Sequence, residues 1–441
     1  MKQTKLLFLL ALFLIYGPVK DAVGQQTSNP LALELKSPDA GIRAKAARQL
    51  GDSGDISTVP ALAADLTDPS SKVRAEVIVA LSKLHTNQSL DALLKATRDT
   101  DPGIRSLAVE ATIGWYTGNI PAVGFESVVS RSYHSAMNRF QGNVTRINPG
   151  MQVDPRAVSA LEEAMQDTRS IDAARKAAWG LGVLTARSAV PDLIKAAHSY
   201  DPDLAINALN ALSKIKDISA GPQLVDVLAS TNNGVKQTAA ITVGILRTKA
   251  AAPKLESMYQ NDRNKETRVA ALDGLAYIGD PATYSVFVSA LSSRNPDERE
   301  YAAEGLARAG NRQALPELKQ KMQTEKKEGV KLGIFFAETS LGQTQHLQDL
   351  VEALPSRSWG AVAQSYLIEL ARQKDLLQEL YPYLSNRDAT TRRRLCYVLM
   401  YSGDASSIQK LQPLTRDRNS DVAAAALSAV RAIRARTNSA A

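Results

Sequence analysis

The feature that most constrains this chain is a repeat. From Arg43, apolar residues follow three, four and seven places on (Ala46, Ala47, Leu50), and the same pattern returns along almost the whole length. The anchors are Arg43, Arg74, Arg105, Ala174, Ala205, Lys236, Arg268, Arg299, Lys331, Ala361, Arg392 and Val422, at steps of 31, 31, 69, 31, 31, 32, 31, 32, 30, 31 and 30 residues. They define a first to a twelfth unit. Glu338 in the ninth, and Gln364 and Ser365 in the tenth, stand where the pattern asks for apolar residues. Apolar residues at this spacing share one face of an α-helix. A second helical segment follows each anchor by about 14 to 17 residues. It is often opened by a proline (Pro60, Pro191, Pro222, Pro253, Pro281, Pro316, Pro413), tolerated there because the first-turn N–H has no helical acceptor. The links carry Asp68-Pro69, Asp101-Pro102, Asp201-Pro202 and Asn295-Pro296, a side-chain cap followed by a residue with helical φ. One such hairpin cannot bury its own apolar face, so the units must stack. An all-α solenoid without sheet is expected.

The signature D-P-x-x-x-V-R-x-x-A-x-x-A-L-x-x-(I/L)-G-(D/N), clearest at 68–84, 264–279 and 296–310, resembles the short HEAT repeat, of the subtype shared with phycobilin lyase subunits. The likeness runs from about Asn29 to Arg436. It implies a right-handed, armadillo/HEAT-like α–α superhelix of about 12 helical hairpins. It also implies a binding surface more readily than a reaction, since this architecture mostly serves recognition. On this reading the second helices of the units line the concave surface.

The ends and one interruption break the regularity. Residues 1–24 read as a signal peptide: Lys2 and Lys5, the apolar run Leu6 to Tyr16, the breaker Gly17-Pro18, and small residues Ala22 and Gly24 before Gln25. The run is too short to cross a bilayer, and no later stretch supplies a span, so the mature chain is expected to be exported, periplasmic or secreted. Residues 25–436 form the solenoid and 437–441 a polar tail. Pro30–Lys36 reads as an N-terminal capping helix, and the helix Asp421–Arg436, lacking a partner, as the C-terminal cap. The 69-residue step holds an insertion, 116–154, within the third unit between Trp115 and Pro155. Long loops in solenoids leave from one edge and often carry function. Arg131, Tyr133, His134 and Arg139 are its candidate partner-binding residues.

The chemistry of catalysis is thinly represented. One cysteine, Cys396, excludes an internal disulfide and a Cys-ligated zinc or iron–sulfur site. It falls on a core position. No G-x-x-x-x-G-K-[ST], H-E-x-x-H or G-x-S-x-G occurs. Deoxyhypusine hydroxylases of HEAT type carry His-Glu pairs as iron ligands, and none of His85, His134, His198 and His346 is followed by Glu. His85 and His198 read as solvated turn residues, Trp115 and Trp179 as core, and Gly180-Leu181-Gly182 as close helix packing. No catalytic residue, metal or cofactor is expected. The competing reading is an enzyme subunit, an accessory factor of lyase type with its site under the insertion.

The net charge of +8 is unevenly placed. Ten basic residues against four acidic ones lie between Arg387 and Arg436. Arg392, Arg393, Arg394, Arg416 and Arg418 are expected to form one positive patch, suited to an acidic protein, a lipid headgroup or an anionic polymer. Nucleic acid is disfavoured, because no aromatic residues interleave with the charges to stack on bases. Together these features point to an exported, non-enzymatic scaffold that binds a protein through its concave surface and the insertion.

Overall fold

The computed structural model describes residues 30–121, 147 and 151–438. Among them there is no strand: helices follow one another from Pro30–Glu34 to Ser420–Asn438. The proposed signal peptide, most of the insertion with Arg131, Tyr133, His134 and Arg139, and residues 439–441 lie outside the described residues.

Each unit is a long helix, a turn and a shorter second segment. In the first unit these are Ala40–Ser53, the 3₁₀ turn Ile56–Thr58 and the helix Val59–Ala64. Most long helices start where the links place Asp or Asn, but the second unit's starts after Ser70, and Asp68 pairs with Arg43 instead of capping it. Asp39, Asp101, Asp201, Asn232, Asn264, Asn295 and Asp388 each accept a hydrogen bond from a first-turn backbone N–H, satisfying donors that would otherwise be orphaned. The long helices of the first nine units stop at a left-handed residue. That residue is Gly54, Gly118, Gly279, Gly310 or Gly342 in five units, at φ 70°, 76°, 62°, 69° and 103°, and His85, Thr185, Lys216 or Arg247 in the other four, at φ 48°, 53°, 59° and 53°. Glycine takes this conformation freely, whereas a side chain adds strain. The prolines fall as the sequence requires, Pro60, Pro191, Pro253 and Pro316 in the first turn of the second helix. Pro222, Pro281 and Pro413 lie in 3₁₀ segments instead.

The repeated apolar positions form the core: Ala46, Ala47, Leu50, Val77, Ile78 and Leu81 are wholly closed to solvent, and the same holds down the array to Ala426 and Ala429, allowing a few per cent. Cys396 is among them, and burial pushes its thiol up to about 12. In the two irregular units the buried set is one residue earlier than the anchors suggest: Val330, Ile334 and Ala337, then Gly360, Ala363 and Leu367. The shift accounts for the off-pattern residues. Glu338 is then a buried acid within reach of His346 at 3.2 Å.

Successive units are riveted by charge. The Arg43 guanidinium meets Asp68 in the next link at 2.6 Å and donates to the carbonyls of Ser37 and Pro38 behind it. The same arrangement returns as Arg74–Asp99 at 2.8 Å, Arg105–Asp167 at 3.2 Å, Lys236–Asp262 at 2.9 Å, Arg299–Glu325 at 2.8 Å and Arg392–Asp417 at 2.8 Å. Arg105 reaches Asp167 across the whole insertion, so the ladder is unbroken there.

The two rows of helices are spaced differently. Long helices of neighbouring units press backbone against backbone: a Cβ on Gly51 would stand 2.6 Å from the Ala80 Cα, one on Gly182 2.5 Å from the Ala211 Cα, and one on Gly244 2.5 Å from the Gly274 carbonyl oxygen. Second helices touch their neighbours far less. The closer-spaced row lies on the inside of a curve, so the concave surface belongs to the long helices and not to the second helices, as the sequence reading had it. The insertion also contributes packing. Tyr116 and Ile147 are buried, the Ile147 N–H donates to the Val183 carbonyl at 3.2 Å, and the Asp154 N–H donates to the Tyr116 hydroxyl at 3.1 Å.

Candidate functional site

Helix periodicity leaves a stripe of each long helix facing away from the core. In the sixth unit Gly234, Gln237, Thr238, Ile241 and Ile245 are partly open while Ala239, Ala240 and Val243 are closed. In the fourth and fifth units the stripe pairs Trp179 with the Lys214 ammonium, 5.7 Å above its ring. From the seventh unit to the tenth it becomes a polar and aromatic cluster drawn from helices Lys265–Ile278, Pro296–Ala309, Glu328–Ser340 and Gly360–Leu370.

Arg308 is its centre. The side chain is 5% exposed, bridges Glu304 at 2.8 Å within its own helix, and bridges Glu369 two units away at 3.1 Å. Its guanidinium lies 4.6 Å from the centre of the Tyr277 ring and 5.4 Å from that of Phe336, an arrangement in which ring faces hold a cation. Glu304 also accepts from the Tyr366 hydroxyl at 2.6 Å, and Glu300 lies 3.2 Å from the same hydroxyl. Phe336 and Tyr366 stack at 4.6 Å. Arg247 of the sixth unit reaches Glu369 of the tenth at 3.6 Å. These contacts skip units, and they draw the concave side together where the register slips.

The acids respond differently to this setting. Burial, with the charge of Glu304 beside it, pushes the Asp273 carboxyl up to about 8. Asp273 is 8% exposed and accepts no hydrogen bond among the described residues. Burial and Glu304 push Glu300 up to about 7. Burial would raise Glu369 as well, but the adjacent Arg308 holds it below the usual range. Burial raises Tyr277 and Tyr366 far out of the titrating range. Among the described residues no group of three His, Cys, Asp or Glu side chains is placed to hold a metal ion.

Beside it the C-terminal ends of these long helices enclose a pocket of about 480 Å³, lined by Arg247, Arg308, Arg312, Phe336, Glu369 and Arg372 among others.

The sequence candidates at the basic end separate. Arg392 is not part of an exposed patch: Asp417 holds it, and the carbonyls of Asn386 and Arg387 accept from it at 2.8 and 3.0 Å. Arg394 is half-buried over Gly360, donates to Gln364 at 3.0 Å and leaves its Nε without a partner. Arg393 lies 3.7 Å from Asp421. Arg416 and Arg418 are exposed on either side of Asp417. Arg436 is turned inward to cap the carbonyls of Met400 and Gly403 at 2.8 and 2.6 Å. His85 is exposed in its turn, as expected, with its ring stacked on Trp115 at 4.5 Å. A signal for the acid and arginine cluster exists in the sequence, namely the breakdown of the apolar pattern in the ninth and tenth units beside it.

A family model for HEAT repeats matches residues 28–113, 158–244 and 252–337, more than half of the chain. The chain belongs to the HEAT-repeat family. Similar solved structures include an engineered protein, 18% identical over 92% of this chain and 98% of its own, with a TM-score of 0.40. YibA of Escherichia coli is 17% identical over 69% of this HEAT-repeat chain and 97% of its own, with a TM-score of 0.40. Kap121p is 13% identical over 90% of this chain and 48% of its own, with a TM-score of 0.39. A search of curated proteins finds no match.

Proposed function

We propose that this HEAT-repeat protein is an exported, non-enzymatic scaffold that binds another protein along the concave row of its long helices. The observation that carries the reading is the cluster of Asp273, Glu300, Glu304, Arg308, Tyr366 and Glu369 on that row. Buried polar and ionised groups cost free energy unless fully partnered, and apolar side chains would fill the same space without that cost. Export rests on the reading of residues 1–24, and the insertion at 116–154 is proposed as a second contact.

A photo-crosslinking residue placed at Gln237 or Arg393, on the concave stripe, tests this against placement at Lys95 or Lys195 on exposed second-helix positions. Discrete crosslinked species are expected from the first pair in the exported fraction. Crosslinks from Lys95 and Lys195 alone would move the surface to the convex side, and crosslinks in the cytoplasm alone would remove export.

A further inference from the structure

We infer that the pocket formed by Arg247, Arg308, Arg312, Phe336, Glu369 and Arg372 is a receptor for an acidic segment of a protein partner. The inference rests on the scaffold reading and names the chemistry of its ligand.

The lining holds four guanidiniums and one carboxylate. Arg308, on the floor, is already matched by Glu304 and Glu369. Arg312 and Arg372, both exposed at the rim, make no salt bridge among the described residues. Arg247 faces Glu369 only at 3.6 Å, with its own side chain 54% exposed. The site therefore carries positive charge that its own acids do not neutralise, spread over the sixth, eighth and tenth units.

Size selects among anions. A pocket of about 480 Å³ falls in the range that encloses small-molecule or side-chain-sized ligands. It has room for more than one carboxylate, and its guanidiniums come from the sixth, eighth and tenth units. An extended chain with neighbouring Asp or Glu residues can meet several at once, each by the forked geometry that arginine offers carboxylates.

Arg247 occupies the left-handed position, φ 53°, where the first, seventh and eighth units place Gly54, Gly279 and Gly310 and others place His85, Thr185 and Lys216. An arginine there is strained relative to glycine. It also supplies a clean variant, because Arg247→Gly removes the charge and relieves the backbone.

The test uses the full-length protein and a fluorescently labelled hexaglutamate peptide, read by anisotropy at low salt. Hexaglutamate should bind and hexalysine should not. Arg247→Gly, and the double variant Arg312→Gln/Arg372→Gln, should each weaken hexaglutamate by about tenfold, without lowering the unfolding midpoint for Arg247→Gly. Arg416→Gln/Arg418→Gln should leave it unchanged, and inorganic phosphate at matched ionic strength should not compete. Equal binding by wild type and both pocket variants, loss that follows Arg416 and Arg418 instead, or full competition by phosphate would each overturn the inference. Retention by the pocket variants of a partner crosslinked through Gln237 would also overturn it, while leaving the scaffold reading intact.

Discussion

The Tyr366 hydroxyl donates to Glu304 at 2.6 Å, joining the tenth unit to the eighth across the ninth. Neighbour-to-neighbour stacking defines a solenoid, so a bond that skips a unit is an additional constraint on curvature. Tyr366→Phe removes it and leaves Glu304 to Arg308 alone. An unfolding free energy lower by about 1–3 kcal/mol is expected, measured by urea titration, with the helical content of the folded protein unchanged.

Arg308→Met is the harsher change. It keeps the apolar stem but strands Glu304 and Glu369, and breaking a buried pair from one side costs about 3–5 kcal/mol. Arg308→Met combined with Glu304→Gln and Glu369→Gln should recover much of the loss, because no buried charge is left without a partner. Failure of that recovery would show that the guanidinium acts through shape and ring contact instead of charge.

The pH dependence of stability should carry two opposite signatures. Glu325 is held down at about 2 chiefly by its hydrogen bond from Arg299, below its unfolded value. Its contribution is thus present above the usual glutamate range and is lost as pH falls towards 2. Asp273 and Glu300 are pushed up to about 8 and about 7. The folded state then binds more protons than the unfolded one, and stability falls as pH rises from the ordinary carboxylate range to those values. Asp273→Asn should therefore raise the melting temperature more at pH 8 than at pH 5, whereas Glu325→Gln should lower it at pH 7 and matter least at pH 2.

Two glycine substitutions separate packing from backbone conformation. Gly244→Ala sets a methyl group 2.5 Å from the Gly274 carbonyl oxygen and must push two long helices apart. Gly54→Ala meets nothing within 4 Å and bears only the strain of φ 70°, about 1 kcal/mol. Gly244→Ala should be the more destabilising, by about 1–3 kcal/mol beyond that, in side-by-side denaturant unfolding.

Deleting 116–154 and joining Trp115 to Pro155 restores the repeat spacing but also removes Tyr116 and Ile147 from the core. The shortened protein should fold with the ladder contact Arg105–Asp167 kept, and lose about 2–5 kcal/mol for the two side chains. A deletion confined to 118–146, which spares both residues, should cost less.

The fold was legible because the periodicity of Ala46, Ala47 and Leu50 and its successors follows directly from burial, and the caps Asp39, Asn264 and Asn295 are local. The concave site was not, because contacts such as Arg308–Glu369 depend on curvature, which no single unit encodes. Arg392 shows the same limit from the other side. As one of three consecutive arginines it reads as surface charge, yet its anchor register commits it to Asp417. The one-residue slip at Val330 and Gly360 was visible only as failed matches at Glu338 and Gln364, and its meaning required the stacked neighbours.

The unit-skipping contacts Arg308–Glu369, Tyr366–Glu304 and Arg247–Glu369 have a mechanical consequence. Where only contacts between adjacent units hold the array, tension on the two ends opens each joint a little and the array extends like a spring. Between the sixth and tenth units the same tension must first break a hoop closed across the inner face. The molecule is thus expected to be stiffer between the sixth and tenth units than along its first five, and a partner seated on the stiff segment would feel little of the strain applied to the rest.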